Sequence, residues 1–359
     1  MKNKKKMMME LMSQIANRSC RRYGKALAIT ATSIGLLYAG RALIRSRSRY
    51  DLMDQTVLIT GGSRGLGLVM AREFVRQGAR VAICARDVDE LERARGDLMQ
   101  RGGEVFSVPC DLTDRSTVEH VVRTVQEKFG EIDVLVNNAG IISVGPVEEM
   151  TISDFEEAMQ TNYWAAVYTI MAVMPQMLKR GKGRIVNIAS IGGKISVPHL
   201  LPYCASKFAL VGLSTGLHVE LEKDGIVVTT VCPGLMRTGS PRNATFKGNH
   251  RAEYTWFSIS DSLPLVSMSA KRAARQIIAA CKRGDAEVVL SLPAKLAVGF
   301  HTLFPELTAD LLGVVNRLLP PTGGIGVKRA QGSESESSLS PSFLTTLSDR
   351  AARENNQLM

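Results

Sequence analysis

TVLITGGSRGLG, residues 56–67, is the stretch of sequence that decides the fold. It opens with the apolar run 57–59, which is typical of a buried strand, and then turns through four glycines at positions 61, 62, 65 and 67. From Leu68 onwards, apolar residues recur at the spacing of a helix. A strand, a glycine-rich turn and a helix in this order form a phosphate-binding unit, because glycine lets the backbone approach a pyrophosphate and a helix N-terminus offers free N–H groups.

The chain after this stretch repeats strand and helix, as such a unit requires. Ile132–Val136 is apolar throughout, which is expected of a strand covered on both faces. Further strands are predicted at Val81–Ala85, Glu104–Pro109, Gly183–Ala189, Ile226–Cys232 and Glu287–Leu292, with helical patterns between them. The alternation predicts an α/β fold, a doubly wound (Rossmann) sheet of seven parallel strands with helices on both faces.

The composition is that of one large domain with extensions. The chain has 359 residues, of which 45% are hydrophobic and 22% are charged. Its six cysteines are scattered, with no CxxC pair and no Cys/His cluster. We therefore expect reduced, buried thiols rather than disulfides or zinc, and no metal site.

The formal net charge of +11 comes from one end of the chain. Residues 1–50 hold twelve of the 45 Lys and Arg residues and one of the 34 acids, so the remaining residues are neutral on balance. A basic arm binds either nucleic acid or anionic lipid. The apolar segment beside it favours lipid, and the neutral body argues against a nucleic-acid partner.

An uncharged and mostly apolar run, Ala26–Gly40, lies between cationic flanks. As a helix it would span about 22 Å, against roughly 30 Å of bilayer hydrocarbon, and snorkelling by Lys25 and Arg41 would cover the difference. We therefore predict a single membrane anchor at about residues 26–44. An interfacial helix, and a leader that is cleaved or merely disordered, remain alternatives. The basic flanks leave the orientation open, and the catalytic domain is expected to face the cytoplasm.

Four segments are predicted along the chain. They are the arm with its anchor (1–50), a Rossmann-type domain (51–292), an apolar helical extension (293–320) and a disordered tail (321–359) that is rich in Gly, Ser, Glu and Asn. The connection 238–268 carries four aromatic residues and is interpreted as a lid over a substrate cleft rather than a disordered loop. The extension is expected to cap the core or form a dimer interface, with a hydrophobic mouth or second membrane contact as the alternative.

Several polar residues fall near the predicted carboxyl ends of strands, where ligands bind in such sheets. Tyr203 and Lys207 lie four apart in a predicted helix and so share a face, Ser190 ends the fifth strand, and Asn162 lies in the preceding long helix. With these residues in place, the sequence over roughly 54–292 closely resembles the short-chain dehydrogenase/reductase family. The motifs that carry the resemblance are TGxxxGxG (Thr60, Gly61, Gly65, Gly67), NNAG (Asn137–Gly140), Ser190, YxxxK (Tyr203, Lys207) and PGxxxT (Pro233, Gly234, Thr238).

The resemblance implies hydride transfer between a nicotinamide C4 and a carbonyl or alcohol carbon. Tyr203 would be the general acid, or the base in the oxidative direction. Lys207 and the positive charge of the nicotinamide would lower the pKa of Tyr203, since a value near 10 suits catalysis at neutral pH poorly. Lys207 would also hold the nicotinamide ribose. Ser190 would hydrogen-bond the substrate oxygen, and Asn162 would fix a water that relays protons to Lys207.

The residues after the second strand favour a cofactor with a 2′-phosphate. An NAD-preferring site would carry an acid at that strand end, whereas here Ala85 is followed by Arg86, and the glycine turn adds Arg64. Guanidinium groups pair with phosphate in bidentate fashion, so NADP(H) is predicted over NAD(H), although Asp87 would weaken such a site. The other implied cofactor contacts are Thr60, Gly61, Ser63, Gly65, Leu66, Gly67, Asp111, Leu112, Asn138, Ala139, Gly140, Tyr203, Lys207, Pro233, Gly234, Leu235 and Thr238.

The sequence thus predicts a membrane-anchored, NADP(H)-dependent oxidoreductase that reduces a lipophilic ketone or aldehyde. A homodimer or homotetramer is common in the family that it resembles. A non-catalytic NADP(H)-binding scaffold or redox sensor at a membrane is the alternative. Ala165 stands where that family often has glycine, and His199 is expected to have a structural or solvent role rather than to touch substrate.

Overall fold

The computed structural model describes residues 50–337, 340, 342 and 345–358, together with residues 7 and 40. The chain divides into two compact units, Met1–Arg49 and Tyr50–Met359, and the second contains nearly all of the described residues. The predicted anchor at 26–44 lies outside the described residues, apart from residue 40. Among the residues that are described, no helix has the length and apolar character needed to cross a membrane.

Strands and helices alternate along the second unit. The strands are β1 (Thr56–Thr60), β2 (Arg80–Ala85), β3 (Val105–Pro109), β4 (Val134–Asn137), β5 (Ser143–Val144), β6 (Gly183–Ile188), β7 (Ile226–Pro233), β8 (Met236–Arg237), β9 (Thr245–Phe246), β10 (Met268–Ser269), β11 (Glu287–Leu290) and β12 (Ala330–Gln331). The helices are α1 (Gly65–Arg76), α2 (Val88–Gln100), α3 (Arg115–Phe129), α4 (Ile152–Met159), α5 (Ala165–Arg180), α6 (Leu201–Leu221), α7 (His250–Ser262), α8 (Ala270–Arg283), α9 (Leu292–Leu303), α10 (Pro305–Leu318) and α11 (Thr346–Glu354).

Seven of the strands form one parallel sheet in the order β3-β2-β1-β4-β6-β7-β11. The predicted seven-stranded parallel α/β architecture is therefore confirmed. The strand order reverses direction between β1 and β4. A crevice opens at such a reversal, beyond the carboxyl ends of the strands, and this is where open α/β sheets bind their ligands.

The hydrophobic core lies on both faces of this sheet. Val57 and Ile59 of β1 pack on one face with Phe74 of α1, whereas Leu58 packs on the other face with Val122 of α3. Side chains alternate between faces along a strand. A strand covered on both sides must therefore be apolar at every position, as 57–59 is.

The connection 238–268 is folded rather than irregular. It contains β9 and the helix α7, and its aromatic residues Phe246, Tyr254 and Phe257 are buried. These side chains pack in a core cluster with Leu200, and Tyr203 lies against the same cluster. The segment therefore covers the beginning of α6 through a small core of its own.

The apolar extension does not cap the core, so that half of the expectation is corrected, whereas the dimer interface stays a prediction. Within α9 and α10, Ala294 and Thr308 are the buried residues. Large apolar side chains of both helices face solvent, such as Leu303 at 73% exposure and Leu318 at 81%. The apolar pattern marks a hydrophobic face on each helix, but it does not reveal whether that face points towards the body or away from it.

The prediction of a disordered tail after Pro321 is also corrected. The tail contains β12, which pairs antiparallel with β9, and the helix α11. Polar contacts join it to the body: Arg329 Nη2 lies 2.7 Å from Asp154 Oδ1, and the N–H of Gly332 donates to the carbonyl oxygen of Ala244 at 2.9 Å. Composition predicts disorder from the lack of apolar residues, and it does not register order that rests on hydrogen bonds.

Candidate active site

The glycine-rich turn after β1 is packed too closely for larger residues. Gly61 and Gly65 have positive φ angles of 61° and 55°. A Cβ on Gly67 would lie 2.0 Å from the carbonyl oxygen of Gly61. Leu66 points into the core and is 8% exposed. The turn presents the first backbone N–H groups of α1 to the crevice, and these groups have no partner within the helix itself.

Residues after β4 hold this turn in place. The Thr60 hydroxyl accepts hydrogen bonds from the N–H groups of Asn138 and Ala139, at 2.9 and 3.1 Å. Asn138 Nδ2 donates to the carbonyl oxygens of Thr60 and Gly61, at 3.1 and 3.0 Å. Thr60, Asn138 and Ala139 were predicted to contact the cofactor, and the structure shows that they connect β1 to β4 beneath the turn.

A π-helical turn, Gln160–Trp164, interrupts the predicted long helix between α4 and α5. It contains the buried Asn162, whose Oδ1 accepts from the N–H of Ile141 at 2.8 Å. Asn162 Nδ2 donates to the carbonyl oxygen of Ile141 at 3.1 Å and to Ser206 Oγ at 2.9 Å. Asn162 therefore links the segment after β4 to α6, and π-helical turns of this kind are frequent at functional sites.

Lys207 is buried next to Asn162. Its Nζ donates to the carbonyl oxygen of Ile188, at the end of β6, at 3.0 Å. A Cβ on Gly140 would lie 2.8 Å from Asn162 Oδ1 and 3.4 Å from Lys207 Nζ, so glycine at this position leaves room for both groups. Burial lowers the pKa of Lys207 to about 8. An amine with this pKa can take up and release a proton close to neutral pH.

Tyr203 and Ser190 lie beside this lysine. Lys207 Nζ is 5.7 Å from the centroid of the Tyr203 ring. Burial raises the pKa of Tyr203 above its ordinary value, and a hydrogen bond with Ser190 opposes the rise. In the chain without cofactor, desolvation of the phenol has the largest effect on this pKa, and the lowering by Lys207 together with a bound nicotinamide stays a prediction. The Ser190 hydroxyl oxygen accepts from the N–H of Gly192 at 3.0 Å, and its own proton remains available to a second partner.

The two predicted arginines, Arg64 of the glycine turn and Arg86 after β2, have different environments. Arg64 Nη1 lies 2.6 Å from Oε1 of the buried Glu90, and the Ser63 hydroxyl donates to Oε2 of the same carboxylate at 3.1 Å. Arg86 is exposed. Asp87 caps α2, because its Oδ1 accepts from the N–H of Glu90 at 2.8 Å. Of the two arginines, Arg86 is therefore the one positioned to meet a phosphate in solvent.

The two residues predicted after β3 have different environments. Asp111 is exposed, and its Oδ1 accepts from the N–H and the hydroxyl of Thr113, at 3.0 and 2.8 Å. Leu112 is 7% exposed and belongs to the core. A carboxylate at this strand end can accept a hydrogen bond from a ligand, whereas Leu112 contributes through packing.

The segment after β7 lies against α9. A Cβ on Gly234 would lie 3.0 Å from Ala294 Cβ and 3.1 Å from Ser291 Oγ, so this backbone approaches the start of the helix closely. The carbonyl oxygen of Leu235 accepts from the N–H of Met268 at 3.0 Å. Thr238 is buried, and its hydroxyl accepts from the N–H of Ser240 at 3.2 Å. Pro233 is the last residue of β7, so the four predicted nicotinamide contacts lie at or just after the end of one strand.

Sequence reasoning missed a buried carboxylate in this region. Asp261 of α7 accepts from the N–H of Met236 at 3.0 Å through Oδ1, whereas its buried Oδ2 has no hydrogen-bond partner among the described residues. Burial raises the pKa of Asp261 to about 7. The sequence does not distinguish a buried acid in an aromatic-rich helix from an acid that is exposed to solvent.

A buried polar network also escaped prediction. Asn137 Nδ2 donates to Asn187 Oδ1 at 2.9 Å, and Asn187 Nδ2 donates to Ser214 Oγ at 3.0 Å. The Thr230 hydroxyl donates to Ser214 Oγ at 2.8 Å. The network fixes α6, which carries Tyr203, against strands β4, β6 and β7. In the sequence, this network is marked by single polar residues within apolar strands.

His199 has the structural role that was expected. Its Nδ1 lies 2.8 Å from Oε1 of the fully buried Glu253, whose Oε2 accepts from Trp256 Nε1 at 2.6 Å. The pair joins the loop before α6 to α7. His199 has a φ of 61°, so this contact holds a backbone conformation that is uncommon outside glycine.

The crevice thus brings together most of the predicted residues. Asn162, Lys207 and Tyr203 lie together, with Ser190 hydrogen-bonded to Tyr203, and the glycine turn lies beyond the adjacent strand ends of β1 and β4. A proton donor, a neighbouring amine and a cradle of backbone N–H groups are the parts needed to bind a dinucleotide and move a proton.

Comparison with known proteins identifies the family of the chain. Residues 55–247 match the family model for short chain dehydrogenase. Dehydrogenase/reductase SDR family member 7B of Danio rerio is 32% identical over 286 residues, which cover 78% of this chain and 91% of the relative. A putative ketoacyl reductase of Streptomyces coelicolor is 39% identical over 187 residues, covering 52% of this chain and 72% of the relative.

Solved structures show the same fold. An actinorhodin polyketide ketoreductase crystallised with NADPH has a TM-score of 0.59 and 32% identity, covering 66% of this chain and 95% of that chain. A short-chain dehydrogenase from Streptomyces avermitilis has a TM-score of 0.63 and 28% identity, covering 73% and 97%. The relatives support a dehydrogenase/reductase activity that uses a nicotinamide cofactor. The chain therefore belongs to the short-chain dehydrogenase/reductase family.

Proposed function

We propose that this protein is an NADP(H)-dependent reductase of a lipophilic ketone or aldehyde. The observation that carries the proposal is the convergence of Tyr203, Lys207 and Asn162 beside the glycine turn, with Ser190 hydrogen-bonded to Tyr203. A protein that only bound a dinucleotide would have no need of a buried phenol and a buried amine side by side. The alternative, a non-catalytic scaffold or redox sensor, lacks an observation in its favour.

The chain's residues supply a proton at the point where charge develops. The bound dinucleotide would donate a hydride to the carbonyl carbon, and negative charge would then build on the carbonyl oxygen. Ser190 would orient that oxygen through its hydroxyl proton, and Tyr203 would transfer its phenol proton to it. Lys207, with a pKa lowered to about 8, would return a proton to the phenolate. Asn162, which links the segment after β4 to α6, would fix the water that relays protons to Lys207.

The choice of NADP(H) rests on the end of β2. Arg86 is exposed there and has no ion-pair partner among the described residues, whereas the carboxylate of Asp87 accepts the N–H of Glu90 as the cap of α2. Arg64 is paired with Glu90 and contributes less than its sequence position suggests. A guanidinium binds a phosphate strongly, because its N–H groups donate charge-assisted hydrogen bonds to the phosphate oxygens.

Membrane attachment and a lipophilic substrate form the second part of the proposal. The sequence predicts an anchor at residues 26–44. The apolar faces of α9 and α10 are exposed, and the start of α9 packs on Gly234, beside the proposed nicotinamide end of the crevice. An exposed apolar surface of this kind favours contact with lipid or with a hydrophobic partner. A substrate dissolved in the bilayer would enter near that end.

The cytoplasmic orientation and self-association also belong to the proposal. Cys84, Cys110, Cys204, Cys232 and Cys281 are free and buried, which suits a reducing compartment. Assembly into a homodimer or homotetramer is an expectation from the family, and light scattering of the detergent-solubilised protein would measure it.

The test is stopped-flow oxidation of NADPH against a panel of lipophilic ketones and aldehydes. Tyr203→Phe removes the proton donor and keeps the ring, so we expect the turnover number to fall by about 10²–10⁴-fold while NADPH still binds. Tyr168→Phe makes the same chemical change on α5 and should leave the rate within twofold. Equal rates for wild type and Tyr203→Phe would overturn the enzymatic proposal.

A further inference from the structure

The end of the tail lies on the glycine turn. The carbonyl oxygen of Asn355 accepts from the N–H of Gly65, the first residue of α1, at 2.9 Å. Asn356 Nδ2 donates to the carbonyl oxygens of Ser63 and Glu90, at 2.9 and 3.0 Å. A first-turn N–H that a phosphate oxygen would take is therefore already bonded to the chain itself.

The neighbouring side chain fills the space that glycine leaves open. A Cβ placed on Gly65 would lie 2.6 Å from Gln357 Nε2. Gln357 Oε1 in turn accepts from Asn243 Nδ2, and Asn355 Nδ2 lies 3.5 Å from the carbonyl oxygen of Thr238. The tail thus spans from the pyrophosphate turn to the residue proposed to meet the nicotinamide.

The helix before this end is docked on the body. Ala352 of α11 is 1% exposed, and a Cβ on Gly239 would lie 2.5 Å from Ala352 Cα. Arg72 Nη1 donates to the carbonyl oxygen of Glu354 at 3.0 Å. The contact is therefore close-packed on one side and hydrogen-bonded on the other, over several residues.

We infer that residues 346–357 are an autoinhibitory segment that competes with the dinucleotide for the glycine turn. The inference rests on the proposed binding of NADP(H) at that turn. The segment and a pyrophosphate require the same N–H of Gly65 and the same space above it, so the two exclude each other. The apparent dissociation constant for NADPH then equals the intrinsic constant divided by the fraction of molecules in which the segment is undocked.

The experiment measures NADPH binding by fluorescence titration of the full chain. Ala352→Arg places a large side chain where Gly239 leaves no space, and Asn356→Ala combined with Gln357→Ala removes the contacts with Ser63, Glu90 and Asn243. Neither change touches a proposed catalytic residue. Arg353→Ala, an exposed position on the same helix, is the matched control. Thermal unfolding of each variant reports whether the body remains folded.

We expect both docking variants to bind NADPH at least tenfold more tightly than wild type, with the control unchanged. A synthetic peptide of residues 346–358, added to the Ala352→Arg variant, should restore weaker binding and compete with NADPH. Equal or weaker NADPH binding by folded docking variants would overturn the inference and leave the cofactor proposal standing. Failure of every form to bind NADPH or NADH would overturn both.

Discussion

At the scale of the residue, the cofactor preference of the candidate site depends on which charged side chains already have partners within the fold. Arg64 and Asp87 have partners in the fold, whereas Arg86 is exposed at the strand end. The sequence places Arg64 in the glycine turn and Arg86 and Asp87 after the second strand, but it does not show which of these charged groups already has a partner. The selectivity for a 2′-phosphate is therefore expected to depend chiefly on one guanidinium.

Replacing Arg86 should change the preference between the two dinucleotides. Arg86→Ala removes a charge-assisted hydrogen bond, so we expect KM for NADPH to rise about 10–100-fold. KM for NADH should stay within twofold, because NADH has no 2′-phosphate. Arg95→Ala on α2 is the control. A similar rise for both cofactors would show that Arg86 supports the fold of the turn instead.

Asp261 predicts a dependence of stability on pH. Its native pKa is raised to about 7 from 3.8, so the native state binds more protons than the unfolded state between these pH values. The free energy of unfolding therefore falls as the pH rises from the unfolded-state pKa of this carboxyl to its native pKa. Asp261→Asn keeps the acceptor for Met236 and removes the charge.

We expect the free energy of unfolding of Asp261→Asn to exceed that of wild type at pH 8, by at most ~4 kcal/mol. The difference should shrink as the pH falls from 7 towards 4, because the native carboxyl is then protonated and the unfolded-state carboxyl, with a pKa of 3.8, begins to be protonated as well. Urea unfolding at pH 4 to 8 measures it. A difference that does not vary with pH would mean that the carboxyl of Asp261 does not titrate in this window.

At the scale of the element, the π-helical turn before α5 sets the position of Asn162. The sequence reads as one helix from residue 153 to 179, because a single inserted residue hardly disturbs the helical period. The turn is supported by bonds from Asn162 to Ile141 and Ser206. Periodicity thus predicts the helix, whereas long-range contacts decide where it bulges.

Ala165, the residue directly after this turn, can be restored to the glycine that is frequent in the family. Ala165→Gly should lower the free energy of unfolding by about 1 kcal/mol, because glycine is a poor helix former. The kcat/KM for NADPH should remain within twofold. Ala172→Gly on α5 serves as the control for helix propensity. Loss of activity in Ala165→Gly alone would show that the methyl group positions Asn162.

The helices α9 and α10 make a separate prediction about lipid. Leu303 is 73% exposed on α9, and Val219 is 71% exposed on α6. In full-length protein bound to vesicles of brominated phosphatidylcholine, we expect the fluorescence of a tryptophan introduced by Leu303→Trp to be quenched strongly. Bromine on the acyl chains quenches a fluorophore only near the apolar layer, so Val219→Trp should be little affected. Equal quenching would exclude a specific contact of α9 with the bilayer.

At the scale of the whole molecule, the sheet and the catalytic motifs could be read from the sequence because their signals are local. The glycine turn, the YxxxK pair and the apolar strands each need a few neighbouring residues. The tail could not be read in this way. Asn356 bonds to Ser63, nearly 300 residues away along the chain, and no local pattern predicts such a partner. The outward direction of the apolar face of α9 was inaccessible for the same reason.

Glu90 joins three parts of the molecule that the sequence keeps far apart. Its carboxylate holds Ser63 and Arg64, its N–H completes the cap of α2, and its carbonyl oxygen receives Asn356. Replacing the acid would release Ser63 and Arg64 but leave the bond from Asn356 intact, because Asn356 donates to a backbone carbonyl oxygen that every residue carries.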